Sequence, residues 1–252
     1  MGNNCFFLIE AMFTNDSKIR YNSYTDWVQV YHESTWKNWK LGGMNVDPTK
    51  MELSQDEFVA ICGAGLQSMM SVGAIIHMNN YYCGDYEVID VNHDGTLNTV
   101  DVMAHTQVYK MMFNGGASGK NYNTSAIRTW INSTYIDAFD YEIRELIKIQ
   151  QVAYYNNSST MYLQDKAKLL SWMELNINIG TIDEGSAYPV FTRGAAGTAD
   201  AKRWRNAGSY GDNAVYYLRS LYSTGIAGIK NTCVMETLGE GNNIGILPVL
   251  RF

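Results

Sequence analysis

The chain has 252 residues, 46% hydrophobic and 17% charged, with a formal net charge of -6. That apolar content suffices for the core of one large domain or of one domain with an appendage, and the acidic balance argues against a protein that neutralises nucleic-acid phosphates. Eighteen Tyr, six Trp and eight Phe among many Asn, Ser and Thr describe rigid aromatics interleaved with small polar groups, the chemistry of binding faces and of sheet packing alike.

The first thirteen residues, MGNNCFFLIEAMF, carry an apolar run too short for a secretory signal, with no basic start and Glu10 in its middle. Phe6 stands where myristoylation of Gly2 needs Ser or Thr. No run is long enough to cross a bilayer, so neither a signal peptide nor membrane insertion is expected. Residues 1–53, with the strand-like WVQVYH and the turn-prone LGGMNVDPTK, read as an N-terminal attachment or packing segment, and residues 54–252 as the main domain. Ser54 and Glu57 form a capping box, and Phe58, Ile61, Cys62, Leu66 and Met69 recur at helical spacing, predicting a helix that ends near Met70. The β-branched and aromatic runs from Val72 to His105, broken by Asn-Asn, Cys-Gly-Asp and Asp-Gly, predict consecutive antiparallel hairpins.

Within them, DVNHDGTLNTVD admits two readings. Asp90, Asn92, Asp94, Thr96, Asn98 and Asp101 fall at positions 1, 3, 5, 7, 9 and 12 of a calcium loop, with Gly95 at position 6. Yet the segments on both sides, Tyr86 to Ile89 and Val100 to Val108, read as strands, which favours a hairpin turn at Asp94-Gly95. Downstream, a helix beginning at Asn123 to Ser125 carries Ile127, Trp130, Ile131 and Tyr135 on one face. Asp140 can cap a second over DYEIREL, before the strand IKIQQVAYY. A third helix is predicted after a strand ending at Leu170, with Ser171 and Glu174 as a second capping box. From Gly180 onward short strands, VYYLRS, TCVMETL and GILPVLRF, are set among loops rich in Gly, Asn, Tyr and Ser. The fold class is α+β.

Catalytic signatures are missing: the four histidines show no metal spacing, and no nucleophile elbow, P-loop or dinucleotide fingerprint is present. Cys5, Cys62, Cys83 and Cys233 are scattered and read as free, mostly buried thiols. No enzyme activity and no cofactor is expected, calcium at Asp90 to Asp101 being the one alternative.

Four motifs in order, SAIRTWIN (Ser125 to Asn132), KLLSWMEL (Lys168 to Leu175), YYLRS (Tyr216 to Ser220) and GILPVLRF (Gly245 to Phe252), resemble a domain common in tail and virion proteins of phages of gut Firmicutes and in surface proteins of their hosts. The resemblance covers most of residues 72–252. It implies a C-type-lectin-like fold related to formylglycine-generating enzymes, whose active cysteines find no match here, and to the variable proteins of diversity-generating retroelements. It places the binding face between the last two motifs, Leu221 to Ile244. The run YSTGIAGI, Tyr222 to Ile229, reads there as an ordinary Gly-Ser-Thr loop or as diversified positions. Trp204, Tyr210, Tyr216, Tyr222, Asn231, Asn242 and Asn243 are the candidate ligand contacts, although strand alternation sends one of Tyr216 and Tyr217 inward. The expectation is a virion tail or fibre protein that binds a host glycan or protein, contacts other virion subunits and forms a homo-oligomer. A structural virion subunit and a bacterial surface adhesin are the alternatives.

Overall fold

The computed structural model describes residues 47–116, 119–156, 158–177, 182–195, 197–203, 215–222, 224–230 and 232–252, together with the backbone of three strands nearer the N-terminus. These strands, β1 (Lys18–Asn22), β2 (Trp27–His32) and β3 (Thr35–Lys40), form an antiparallel meander in which β2 is the predicted WVQVYH.

The remainder is α+β. Glu52 and Leu53, assigned by sequence to the N-terminal segment, form β4 (Glu52–Leu53), which pairs in parallel with β5 (Ile75–His77). Between them lies α1 (Gln55–Ala64), opened by the predicted box: the Ser54 side chain accepts from Glu57 N, and Glu57 Oε2 accepts from Ser54 N at 3.0 Å. It stops short of Met70 because Gly65 adopts a left-handed conformation, φ 70°, and returns its N–H to Ile61 and Cys62 carbonyls. Leu66 to Met70 then continue as a 3-10 turn over Gln67–Met69.

β5 pairs with β6 (Asp85–Val91), and β6 with β7 (Val100–Ala104), all antiparallel as the hairpin pattern predicts. The connection after β6 is an eight-residue loop from Asn92 to Thr99, closed by Asn92 N–H donating to Thr99 O at 2.9 Å. It is longer than a tight Asp-Gly turn. Asn92, Asp94 and Asn98 each take a positive φ there, which short polar side chains tolerate.

The chain then enters a second sheet through β8 (Tyr109–Met111). The predicted Trp130 helix is two pieces, α2 (Ala126–Ile131), capped by Ser125, and α3 (Thr134–Asp137). The break follows from Asn132: its Oδ1 accepts from Lys166 N and Ala167 N, and its Nδ2 donates to Ala167 O, pinning the helix end to the start of a strand 35 residues further on. α4 (Tyr141–Leu146) starts at Asp140, but that carboxylate does not cap it and accepts instead from Gln55 and Asn79. β9 (Gln150–Tyr155) and β10 (Thr160–Asp165) form a two-stranded hairpin, followed by β11 (Ala167–Leu169).

The helix predicted after Ser171 is absent. The box forms, with Ser171 N donating to Glu174 Oε2 at 3.0 Å and Glu174 N to Ser171 Oγ at 3.1 Å, but turns follow it. Glu174 is pulled inward by ion pairs described below, and the turn closes around it.

The C-terminal half is more regular than its composition suggests. β12 (Tyr216–Tyr222), β13 (Gly225–Ile229), β14 (Met235–Leu238) and β15 (Ile244–Ile246) join β8 in a five-stranded sheet ordered β14-β13-β12-β15-β8. Most of YSTGIAGI is thus a buried strand, not a displayed loop: every residue of β13 is buried. β16 (Pro248–Arg251) lies between β11 and β7 in a six-stranded sheet ordered β11-β16-β7-β6-β5-β4. Leu247 alone separates β15 from β16, so GILPVLRF crosses directly between sheets. Pro248 opens β16, where its missing N–H costs least.

Gly228 shows how tightly the five-stranded sheet closes, since a Cβ there would overlap the Leu238 side chain and stand 2.8 Å from Tyr216 O. Gly228→Ala is expected to destabilise the fold by about 1–3 kcal/mol through overpacking, read as a lowered urea midpoint. A displayed loop would tolerate the change.

Candidate functional site

Arg219 is fully buried on β12 and reaches three other parts of the molecule. Its Nε donates to Ala153 O of β9 at 2.7 Å, Nη1 to Leu169 O of β11 and to Glu174 Oε2, both at 2.5 Å, and Nη2 to Glu184 O at 2.5 Å. Glu174 Oε1 accepts from Lys168 Nζ at 2.8 Å. Burial works to raise the Glu174 pKa, but Arg219 and Lys168 overcome it and hold the carboxyl at about 2. Burial raises the pKa of neighbouring Glu184, against the pull of Arg219.

A second network adjoins the first. Burial would lower the Arg251 pKa, but bidentate bonds to Asp101, at 2.6 and 2.7 Å, raise it. Asp101 also accepts from Tyr188 OH at 2.6 Å. His93 stacks on Tyr188 with centroids 4.0 Å apart, and its Nδ1 lies 2.7 Å from Asp90 Oδ2. Of the six calcium-loop candidates, Asp90 and Asp101 are therefore engaged by His93 and Arg251, and Asp94 stands 3.3 Å from His93 Nε2. Asn92 Oδ1 accepts from Thr99 N at 3.4 Å, the Thr96 carbonyl accepts from Thr99 Oγ1, and the Asn98 carbonyl accepts from Lys148 Nζ. Among the described residues, no group of three or more His, Cys, Asp or Glu is arranged to hold a metal ion.

The two networks floor a cleft of about 460 Å³. Lys168, Glu174 and Arg251 line its base, Gln150 and Ala153 of β9 one wall, and Tyr162 of β10 its mouth, with Asp94, Lys148 and Asp183 around it. Gln150 Nε2 donates to Val249 O at 3.4 Å, while among the described residues its buried Oε1 has no partner. Burial lowers the Lys148 pKa.

The predicted C-terminal contacts fall differently. Trp204, Tyr210 and Asn231 lie outside the described residues. Tyr216 is buried and donates its hydroxyl to Arg203 O at 2.8 Å, so it offers no contact surface. Tyr217 is buried too, against Phe113, with its hydroxyl 2.5 Å from Gly239 O and 2.9 Å from Asn242 O. Alternation sends neither outward, because β12 is an inner strand covered on both faces. Tyr222 is half-buried, edge-on to Trp172. Asn242 and Asn243 are exposed in the turn after β14, at the sheet end shared with the Tyr222–Gly225 hairpin, since Ile226 pairs with Leu238. Cys62 and Cys83 are buried free thiols, as expected, and Cys233 is half-buried.

Residues 106–245 match a family described as "Domain of unknown function (DUF6273)". The chain belongs to the DUF6273 family. The matched span holds Arg219, Glu174, Lys168 and Glu184, whereas Asp94, Asp101 and Arg251 come from outside it. The cleft is thus built jointly by the DUF6273 span and its flanking strands. No curated protein and no solved structure matches the chain.

Sequence reasoning missed the cleft because its residues come from six separated segments. The one available signal was Arg219 inside the apolar run YYLRS, where an unpaired charge would be prohibitively costly.

Glu174 gives the network a pH signature. Its folded pKa is depressed, so its stabilisation is full above the ordinary value of 4.5 and is lost as pH falls towards 2, about 3 kcal/mol in all. Glu184, with a raised pKa, acts above that window: its contribution grows as pH falls towards 4.5 and is constant in the acid range where Glu174 is lost. Thermal midpoints between pH 7 and 2 should fall steeply below 4.5, and Glu174→Gln should be less stable at pH 7 and flatter in acid. Arg219→Met should cost about 3–5 kcal/mol by leaving Glu174 buried with one partner fewer.

Proposed function

We propose that the chain is a non-catalytic recognition module, a C-type-lectin-like domain in a phage tail or fibre protein that attaches to a host-cell surface. The observation that carries the reading is the cleft: a polar base fixed by ion pairs, under an open mouth with an exposed tyrosine. Such a site binds without a large ordering cost, because its base is already held by its own hydrogen bonds. Cys62, a buried thiol, has its pKa pushed far up by burial, the reverse of an activated nucleophile. The virion setting rests on the resemblance of the four motifs. Among the described residues no helix is long and apolar enough to cross a membrane.

A second reading, a structural subunit that packs against other copies, draws on a separate feature. Tyr81 is 88% exposed and meets Tyr82 edge-on, Tyr82 meets Trp130, and Tyr109 stacks on Trp130 at 5.1 Å. Exposed aromatic clusters of this kind serve interfaces.

Fluorescently tagged protein applied to cells of a panel of gut Firmicutes separates these readings. Saturable binding is expected, lost with Tyr162→Ala plus Asp183→Ala and retained with Tyr222→Ala plus Asn242→Ala. Loss in the second variant alone would move the site to the C-terminal turn. No binding to any strain, with an oligomer that Tyr81→Ser dissociates, would establish the packing role.

A further inference from the structure

The cleft is lined by cations whose ion pairs leave some of their donors unspent. Lys168 and Arg219 bond Glu174, while Arg251 bonds Asp101 and also faces Asp94 at 3.7 Å. Arg219 spends its guanidinium on backbone and Glu174 behind the base, but Lys168 and Arg251 line the cleft itself. Arg251 commits Nε and Nη2 to Asp101, and Lys168 commits one of its three donors to Glu174.

Other groups complete a site of mixed character. Gln150, 2% exposed, brings an acceptor that has no partner among the described residues. Asp94 and Asp183 at the mouth are acceptors for hydroxyl donors, although Asp94 also faces Arg251 at 3.7 Å and Asp183 accepts from Gly185 N at 3.1 Å. Tyr162 is 57% exposed and Ile149 63%, giving one side an apolar wall. A volume of about 460 Å³ suits a small ligand.

We infer that the cleft binds an acidic sugar, a pyranose carrying a carboxylate: the carboxylate faces Lys168 and Arg251, ring hydroxyls donate to Gln150, Asp94 and Asp183, and an apolar ring face lies on Tyr162. A neutral sugar forms no bond charge-assisted on both sides with the unspent donors of Lys168 and Arg251. A simple carboxylate leaves the aromatic wall and the acceptors unused. The assignment rests on the recognition reading above and names its ligand class.

Calorimetric titration of the full chain with glucuronic acid, N-acetylneuraminic acid, glucose and acetate tests it. At least one acidic sugar should bind about tenfold or more tightly than glucose, the worth of a charge-assisted hydrogen bond, and more tightly than acetate. Tyr162→Ala, at an exposed position, should weaken that binding about tenfold without moving the thermal midpoint. Lys168→Gln should erase the preference over glucose; should it fail to fold, the same titration in rising salt replaces it, with the acidic-sugar affinity falling and the glucose affinity unmoved. Equal affinity for glucose, binding no tighter than acetate, an unchanged Tyr162→Ala, or no binding at millimolar sugar overturns the assignment. Cell binding that persists while every sugar fails leaves the attachment reading standing. Acidic-sugar binding without cell binding does the opposite.

Discussion

The Arg219–Glu174 pair is the constraint on which the molecule turns. One guanidinium on the five-stranded sheet bonds β9, β11 and the segment at Glu184, and so fixes three pieces of backbone relative to β12. Removing two charges from water is costly, and their attraction returns little net stability over a well-packed apolar pair. What the pair contributes is selection: only one arrangement of these strands satisfies every donor on the guanidinium. The same bonds hold Lys168 beside the cleft, so the order of the fold and the charge of the site have a single origin.

The Asp101–Arg251 pair repeats the device at the other sheet. Arg251 sits on β16 and Asp101 on β7, adjacent and in register, and Tyr188 closes over them from an irregular segment. A stretch whose oxygens are spaced like a calcium loop is here a hairpin whose carboxylates are engaged by Arg251 and His93. Spacing alone could not distinguish the two, because both need acidic and amide side chains at alternate positions around a glycine. The flanking strands foretold the antiparallel pairing of β6 with β7 on either side of the loop.

Local chemistry was legible and long-range chemistry was not. The Ser54 box, the β6–β7 hairpin and the strand WVQVYH depend on neighbours in sequence, and each is found where the residues place it. Asp140 and Ser171 show the limit: both carry capping residues, but Gln55 and Asn79 claim the first carboxylate, and Arg219 and Lys168 claim Glu174. The glycines and serines of Tyr222 to Ile229 suggested a loop because composition records side-chain size and not what stands opposite. Gly228 is small because Leu238 fills its space. Of the expected contact residues, Tyr216 was lost to burial for the same reason, and the cleft went unseen because no window of sequence contains it.

The passage of the chain through Leu247 bears on how the molecule is made. β16 occupies a place between β7 and β11, two strands synthesised well before it, and until it arrives both present open edges to the cell. Pairings so distant in sequence close slowly, and open edges recruit other chains. The nascent protein therefore spends its most hazardous interval with its six-stranded sheet divided, a gap that chaperones would have to guard until one short strand shuts it.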